Sequence, residues 1–236
     1  MSSQNSEIKE FFDSWSVYQK FIEYNYMHHQ ELFSATAIEL AKKNLPAKPR
    51  FLDLGCGDAY FAAKLCEPIK NIQYTGVDLS EVALDYAREN LNKVSIIPEL
   101  IAGDISSILD NFIANKERFD IIFSSFCIHH FQSLEDKKQL FEKIKQCLNQ
   151  NGIFIQIDIS LAAGQTREQY MSQTMLDFYS GLAAFSEAEL SFTRDHIEKF
   201  DYPEGIEKMK NALAGAGFNE IDTPYQIKHY ALFTAS

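Results

Sequence analysis

The chain has little of several things, and each shortage excludes something. Only four cysteines, Cys56, Cys66, Cys127 and Cys147, are scattered among 236 residues, with no CxxC spacing. That pattern fits neither a zinc site nor a disulfide framework, and leaves free thiols in a reducing cytoplasm as the simplest expectation. No apolar run approaches the ~18 residues that a membrane span requires. The opening MSSQNSEIKE has no basic stretch followed by an apolar one, so a secretory signal is not expected. Basic charge is also short, with 22 Lys and Arg against 33 Asp and Glu and a net charge of −11. Nucleic-acid binders need Lys and Arg to replace phosphate counterions. The nearest basic cluster here, Lys137 and Lys138, sits beside Glu135 and Asp136. Nucleic acid and anionic membranes are therefore not expected as partners.

Apolar and aromatic residues are plentiful: 46% of the chain is hydrophobic, with 19 Phe and 11 Tyr. A disordered chain would be poorer in both. There is no repeat, low-complexity tract or flexible linker, so one unit over 1–236 is expected, its residues 1–6 a frayed tail. Over 7–44, Ile8, Phe11, Trp15, Tyr18 and Ile22 recur at helical spacing, as do Phe33, Ala37 and Leu40. Pro46 and Pro49 then end the pattern.

Beyond that break the period changes. Short, almost continuously apolar runs at 50–54, 72–77, about 98–102, 119–124 and 152–158 read as parallel strands covered on both faces. Helical patterns at 80–92 and 133–148 lie between them, the second opened by a Ser133–Asp136 capping box. This alternation predicts an α/β fold with a doubly wound sheet. Pro98 cannot donate to a ladder, which places the third strand at an edge and suits a 3-2-1-4-5 order. Residues 160–204 interrupt the alternation as a helical insertion, with Ser186 and Glu189 opening a helix. Pro203 starts another, carrying Ile206, Met209 and Leu213 on one face and ended by Gly215 and Gly217. Runs at 218–223 and 227–234, parted by Pro224, suggest an antiparallel pair.

The chemistry gathers where strands end. Asp53-Leu-Gly55-Cys56-Gly57-Asp58 follows the first strand and precedes a helix. Glycines there allow a tight turn and close approach of a ligand, and ligands of open α/β sheets bind at the carboxyl ends of strands. Asp78 ends the second strand in GVDLS, 23 positions beyond Gly55, where a carboxylate can accept both ribose hydroxyls of an adenosine. Asp104 follows the third strand in IAGDI, placed to accept from an adenine amino group. Each acid alone also fits a helix cap or a solvated loop; three on successive strands are harder to assign to caps. A nicotinamide dinucleotide would want a third glycine where Tyr60 stands, and would meet Asp58 and Asp53 near its pyrophosphate. A cationic ligand tolerates those acids far better.

FLDLGCGDAYFA, GVDLS, IAGDI and FDIIFSSFCIHHF, in this order, resemble the successive motifs of class I S-adenosylmethionine-dependent methyltransferases. LNQNGIFIQID resembles the segment leading through their fifth strand, so the likeness spans about residues 48–158. It implies a seven-stranded sheet ordered 3-2-1-4-5-7-6 with the seventh strand antiparallel. The unit would divide into an N-terminal helical cover (7–44), a cofactor-binding core (45–159), a substrate-cover insertion (160–204) and a closing helix and hairpin (205–236). By position, Asp53, Gly55, Cys56 and Gly57 would surround the methionine part of S-adenosylmethionine, and Asp78 with Leu79 the ribose. Asp104 with Ile105 would hold the adenine, with Ser124 near the methionine end and Tyr18 reaching over from the cover. S-adenosylhomocysteine would be the product.

Candidates for an acceptor-side role are His129 and His130 after strand four, and Tyr24, Tyr26, His28 and His29 in the cover, of which His129, His29 and Tyr26 are preferred. Loop fixing and core packing are the competing readings. Neighbouring side chains on a helix point about 100° apart, so no metal chelate is expected from either His pair. Phe178, Tyr179, Phe185 and Phe192 could line an acceptor pocket or simply fill the insertion's core. The chain lacks the NPPY-type motif of enzymes that methylate amino groups on bases and glutamine, which, with the acidic balance, favours a small-molecule acceptor. A non-catalytic cofactor-binding module and a nicotinamide-dependent oxidoreductase are the alternatives. The chain is expected to be a monomer or a homodimer.

Overall fold

The structure is a computed structural model that describes residues 15–236, with side chains from residue 17 onward. The expected tail 1–6 and the helical positions Ile8 and Phe11 lie outside the described residues, as does the Trp15 side chain. The apolar runs form strands β1 (Arg50–Leu54), β2 (Gln73–Asp78), β3 (Glu99–Ala102), β4 (Phe119–Ser125) and β5 (Leu148–Leu161). A two-residue β6 (Glu204–Gly205), then β7 (Ile221–Ile227) and β8 (Tyr230–Ala235), complete the set. The main sheet runs β3-β2-β1-β4-β5-β8-β7, with β6 attached to β5. Without β6 in the count this is the expected 3-2-1-4-5-7-6 order, and the last strand pairs antiparallel with β5. Pro98 immediately precedes edge strand β3, as its missing N–H demands.

Successive strand residues face opposite layers. Phe51, Ile121, Phe123, Ile155 and Ile157 pack into one core with Leu32, Phe33 and Leu65. Leu52, Leu54, Ile122 and Phe154 pack into the other with Leu140, Phe141, Ile144 and Leu213. The helices of these layers are α1 (Trp15–Glu23), α2 (His29–Ala41), α3 (Tyr60–Cys66), α4 (Glu81–Lys93), α5 (Ile105–Ala114) and α6 (Leu134–Cys147). In the insertion, α7 (Arg167–Gln169) runs through a π-helical turn (Tyr170–Thr174) into α8 (Met175–Gly181), followed by α9 (Glu187–Phe200); α10 (Ile206–Gly215) comes after. Capping boxes open α6 at Ser133 and α9 at Ser186, and Ser80 caps α4 by accepting from Ala83 N.

The cover contains two described helices, between which the chain reverses through Asn25 and His28, with φ of 52° and 54°. Two local expectations change. The last helix begins at Ile206 rather than at Pro203, after the short β6 pairing. Pro224 lies inside edge strand β7 at a register shift between Asp222 and Tyr225, and the hairpin turns at Lys228 instead. A proline is tolerated there because a bulged edge strand needs no donor at that position.

Candidate active site

The glycine turn after β1 is built by backbone geometry. Gly55 has φ 71° and Gly57 φ 51°, values that side chains with a Cβ rarely adopt. A Cβ on Gly55 would overlap the Cys127 side chain, whereas Gly57 has nothing within 4 Å and faces open space. Asp78 ties this turn to β2. Its Oδ2 accepts from Gly57 N at 2.9 Å and its Oδ1 from Ser80 N at 2.9 Å. One carboxylate thus anchors the glycine turn and the start of α4 together.

Above the carboxyl ends of the strands opens a cleft of about 340 Å³, lined among others by Tyr18, Gly55, Gly57, Asp78, Leu79, Asp104 and Ile105. These seven residues of the expected cofactor set are brought together. Asp104 also caps α5, accepting from Ser107 N at 2.9 Å, so the cap reading and the cleft position both hold. A smaller cavity of about 30 Å³ continues under the glycine turn and reaches Asp53, Cys56, Asp58 and His29. Burial pushes Asp53 up to about 7, against the Tyr74 hydroxyl, which donates to it at 2.5 Å, and with help from Asp78 and Asp58. Burial likewise raises Asp58 to about 6. Burial and the fields of Asp58, Asp78 and Asp53 push the Tyr18 phenol far above its ordinary value, so it stays neutral. No Lys or Arg is among the described residues that line either space. A pyrophosphate would meet acids without a cation. The sulfonium and ammonium of S-adenosylmethionine fit this donor set, and its ribose fits the Asp78 carboxylate.

Ser124 does not reach this cleft. Strand alternation turns it inward, where it is fully buried and donates to Leu54 O at 2.9 Å; its neighbour Ser125 lines the cleft instead. Phe126 follows with φ 51°, held by its N–H to Ile157 O at 2.8 Å. A left-handed phenylalanine is uncommon and marks a locally constrained turn.

A third cavity, of about 60 Å³, meets the cleft at Tyr18, Phe126 and His130 and runs beneath the helical cover. Tyr170 on the π-helical turn, Phe178, His196 and Tyr230 are among its walls. The cover is fastened to itself: Lys20 Nζ lies 2.7 Å from Glu189, and Ala184 N donates to Tyr26 Oη at 3.1 Å. Tyr26 is therefore a clasp within the cover and lines none of the three spaces, contrary to its expected chemical role. His29 stacks against Phe61 at 5.5 Å and lines the small cavity under the glycine turn. Burial and neighbouring His28 lower it to about 3, which removes it as a base near neutrality. Of the four aromatics expected around an acceptor or in the insertion's core, Phe178 lines the third cavity, Tyr179 and Phe185 are core, and Phe192 packs partly buried against that core.

His129 does face the third cavity, with partners that the sequence reading missed. Its Nδ1 is 2.6 Å from Asp158 Oδ1, and its backbone N donates to Asp158 Oδ2 at 3.1 Å. Burial disfavours the imidazolium, but Asp158 and Asp201 outweigh it and hold His129 above its ordinary value. Asp201, just past α9, is raised to about 6 by burial, against the attraction of His129. Burial, His129 and His196 push His130 well below its ordinary value. Lys137, part of the nearest basic cluster in the sequence, is buried at 1% exposure; its Nζ donates to Tyr202 O at 2.9 Å and to Phe131 O. The one available signal was Asp158 itself, a carboxylate in the apolar run GIFIQIDIS. Asp201 and Tyr170 carry no motif.

Comparison with known proteins agrees with this geometry. A family model described as a methyltransferase domain matches residues 45–218. A carboxy-S-adenosyl-L-methionine synthase of Nautilia profundicola is 23% identical over 201 residues, covering 84% of this chain and 81% of its own. The solved structure of an S-adenosylmethionine-dependent methyltransferase from Clostridium acetobutylicum superposes with a TM-score of 0.61 at 15% identity, covering 88% of this chain and 91% of that one. An O-methyltransferase family protein from Burkholderia thailandensis gives 0.58 at 14% identity over 79% of this chain, which spans half that protein's length. With the glycine turn, the acid-lined cleft and the sheet order in agreement, the chain belongs to the methyltransferase domain family and is an S-adenosylmethionine-dependent methyltransferase.

Proposed function

We propose that the chain methylates a small-molecule acceptor held in the third cavity. The observation that carries this reading is that cavity's place and size: about 60 Å³, roofed by the cover, and meeting the cofactor cleft at Tyr18, Phe126 and His130. A nucleic acid or a protein segment would need an open groove, and the acidic balance of −11 opposes a polyanion. No helix among the described residues is long and apolar enough to cross a membrane.

When bound, S-adenosylmethionine supplies a methyl group already activated by a sulfonium, leaving alignment and exclusion of water to the protein. Gly57 leaves room for backbone approach, and Asp78 fixes both the turn and a ribose. Asp53 and Asp58 supply negative charge beside the ammonium end. The Lys20–Glu189 and Tyr26–Ala184 clasps keep the cover over the reacting atoms. His129 lines the third cavity with its Nδ1 held by Asp158 and its Nε2 3.5 Å from Asp201 Oδ1. Alignment of this kind contributes about 7–11 kcal/mol in well-oriented model reactions.

The curated relative's name denotes formation of a carboxylated cofactor rather than a methylated acceptor. A site for that product would be expected to set a cation against the new carboxylate, and the described lining of the third cavity has no Lys or Arg. Mass spectrometry of turnover mixtures with an acceptor panel tests the proposal. S-adenosylhomocysteine with a methylated acceptor supports it; a carboxylated cofactor with no methylated product overturns it.

A further inference from the structure

The third cavity sets aromatic walls around a single acid. Tyr18, Phe126, Tyr170, Phe178 and Tyr230 are among its walls, and Asp201 is the only carboxylate among its described lining residues, with no Lys or Arg beside it. Asp201 is buried, and its Oδ1 has no hydrogen-bond partner. Burying an ionised group in that condition is costly and rare in native proteins.

The neighbouring cationic groups spend their donors elsewhere. Arg167 donates from Nε to the backbone O of Asp201 and from Nη2 to Glu198 O, both at 2.6 Å, and its guanidinium lies over the Tyr202 ring. Lys137 Nζ donates to the Phe131 and Tyr202 carbonyls. His130 Nδ1 lies 3.5 Å from Asp201 Oδ1, but it is also 3.2 Å from Phe200 O, which can only accept, so its proton is committed there. His129 Nε2 is 3.5 Å from Asp201 Oδ1, beyond the 2.7–3.2 Å of an N–H···O hydrogen bond. Asp158, 2.6 Å from His129 Nδ1 and braced by Gln156 Nε2 at 2.9 Å, keeps a proton on Nδ1. Nε2 is therefore the ring nitrogen that exchanges a proton.

Two charge states of the His129–Asp201 pair differ by that one proton. With His129 neutral, Asp201 is an anion without a partner cation; with His129 protonated, the pair is neutral. An ammonium ligand completes the first state, and handing one proton to Nε2 converts it into a free amine within the second. Aromatic rings add attraction for a cation.

Resting on the acceptor role given to this cavity, we propose that the acceptor is a primary or secondary amine with a compact apolar body. Asp201 holds it as its ammonium, and His129 Nε2 takes the proton that frees its lone pair. That lone pair forms the new N–C bond, and the electrons of the C–S bond stay on sulfur as a neutral thioether. Positive charge thus passes from sulfur to a nitrogen beside Asp201, and the proton on His129 leaves to solvent. An alcohol or thiol fits less well, because its deprotonated atom would form beside Asp201 with no Lys or Arg in the described lining to balance it.

The test uses full-length protein and three matched series, butyl, cyclohexylmethyl and benzyl, each as amine, alcohol and thiol. Binding is read by calorimetry with S-adenosylhomocysteine present, and turnover with S-adenosylmethionine by mass spectrometry. In at least one series the amine should bind at least tenfold tighter than its alcohol and give the N-methyl product. Asp201→Asn, nearly isosteric, should cut that preference below threefold while leaving melting temperature unchanged and S-adenosylhomocysteine affinity within threefold. His129→Gln should lower kcat at least tenfold with KM within threefold, and raising the pH, which supplies free amine, should restore part of the rate; a packing role would not respond in that way. An alcohol or thiol methylated in preference to its matched amine, no amine bound or methylated in any series, or an amine preference that survives Asp201→Asn overturns the amine assignment. A methylated alcohol or thiol leaves the small-molecule reading standing, and that reading fails separately if only a carboxylated cofactor forms.

Discussion

Replacing Asp78 by Asn tests the cofactor cleft at the point where most depends on one side chain. Each carboxylate oxygen of Asp78 accepts one backbone N–H, from Gly57 and from Ser80, both at 2.9 Å. An amide can supply only one acceptor oxygen, so its NH₂ must face one of those donors. A buried donor left unpaired costs about 1–3 kcal/mol, which should appear as a lower melting temperature. On the ligand side the change removes charge-assisted hydrogen bonds to ribose hydroxyls, at about 1.5–3 kcal/mol each. With partial compensation by the remaining oxygen, a net loss of about 2–4 kcal/mol corresponds to roughly 30- to 1000-fold weaker binding. The assay is calorimetric titration of S-adenosylhomocysteine into wild type and variant, with circular dichroism to verify folding. A folded variant that binds within threefold of wild type refutes the ribose assignment.

Asp53, held near 7 by burial, makes binding pH-dependent. Its raised value means that its contribution to stability is fully present below the ordinary value of 3.8 and is lost as pH rises through about 7. The ionised form attracts the cationic cofactor, so affinity for S-adenosylmethionine should rise between about pH 6 and 8, and Asp53→Asn should flatten that rise in a titration series. Gly55→Ala should abolish cofactor binding or prevent soluble expression, because it combines a positive φ with overlap on Cys127; wild-type affinity in that variant would contradict the turn geometry. Lys137→Met should lower stability by about 1–3 kcal/mol in urea unfolding, since the Phe131 and Tyr202 carbonyls lose a charged donor; an unchanged midpoint would show that the buried ammonium contributes nothing net.

The lining of the large cleft was legible because its chemistry is local. Glycines after a strand, and acids closing successive strands, sit at fixed offsets from elements that the apolar pattern already located. Ser124 failed by a single residue, since strand alternation decides which of two adjacent serines faces the ligand. The third cavity was hidden for a different reason. Asp158, Asp201, Tyr170 and His129 come from β5, the end of the insertion, a π-helical turn and a 3-10 turn, which only the tertiary fold brings together. Tyr26 and His29 carried suitable chemistry, but packing gave them other work: a clasp for one, an aromatic stack for the other.

The most direct test of the central claim is calorimetric titration of the purified protein with S-adenosylmethionine and, separately, with NADH. One-site binding of S-adenosylmethionine with no heat from NADH is the predicted result, as the cleft's acids and the lack of a Lys or Arg among its described lining residues require. Binding of NADH, or of neither ligand, would contradict it.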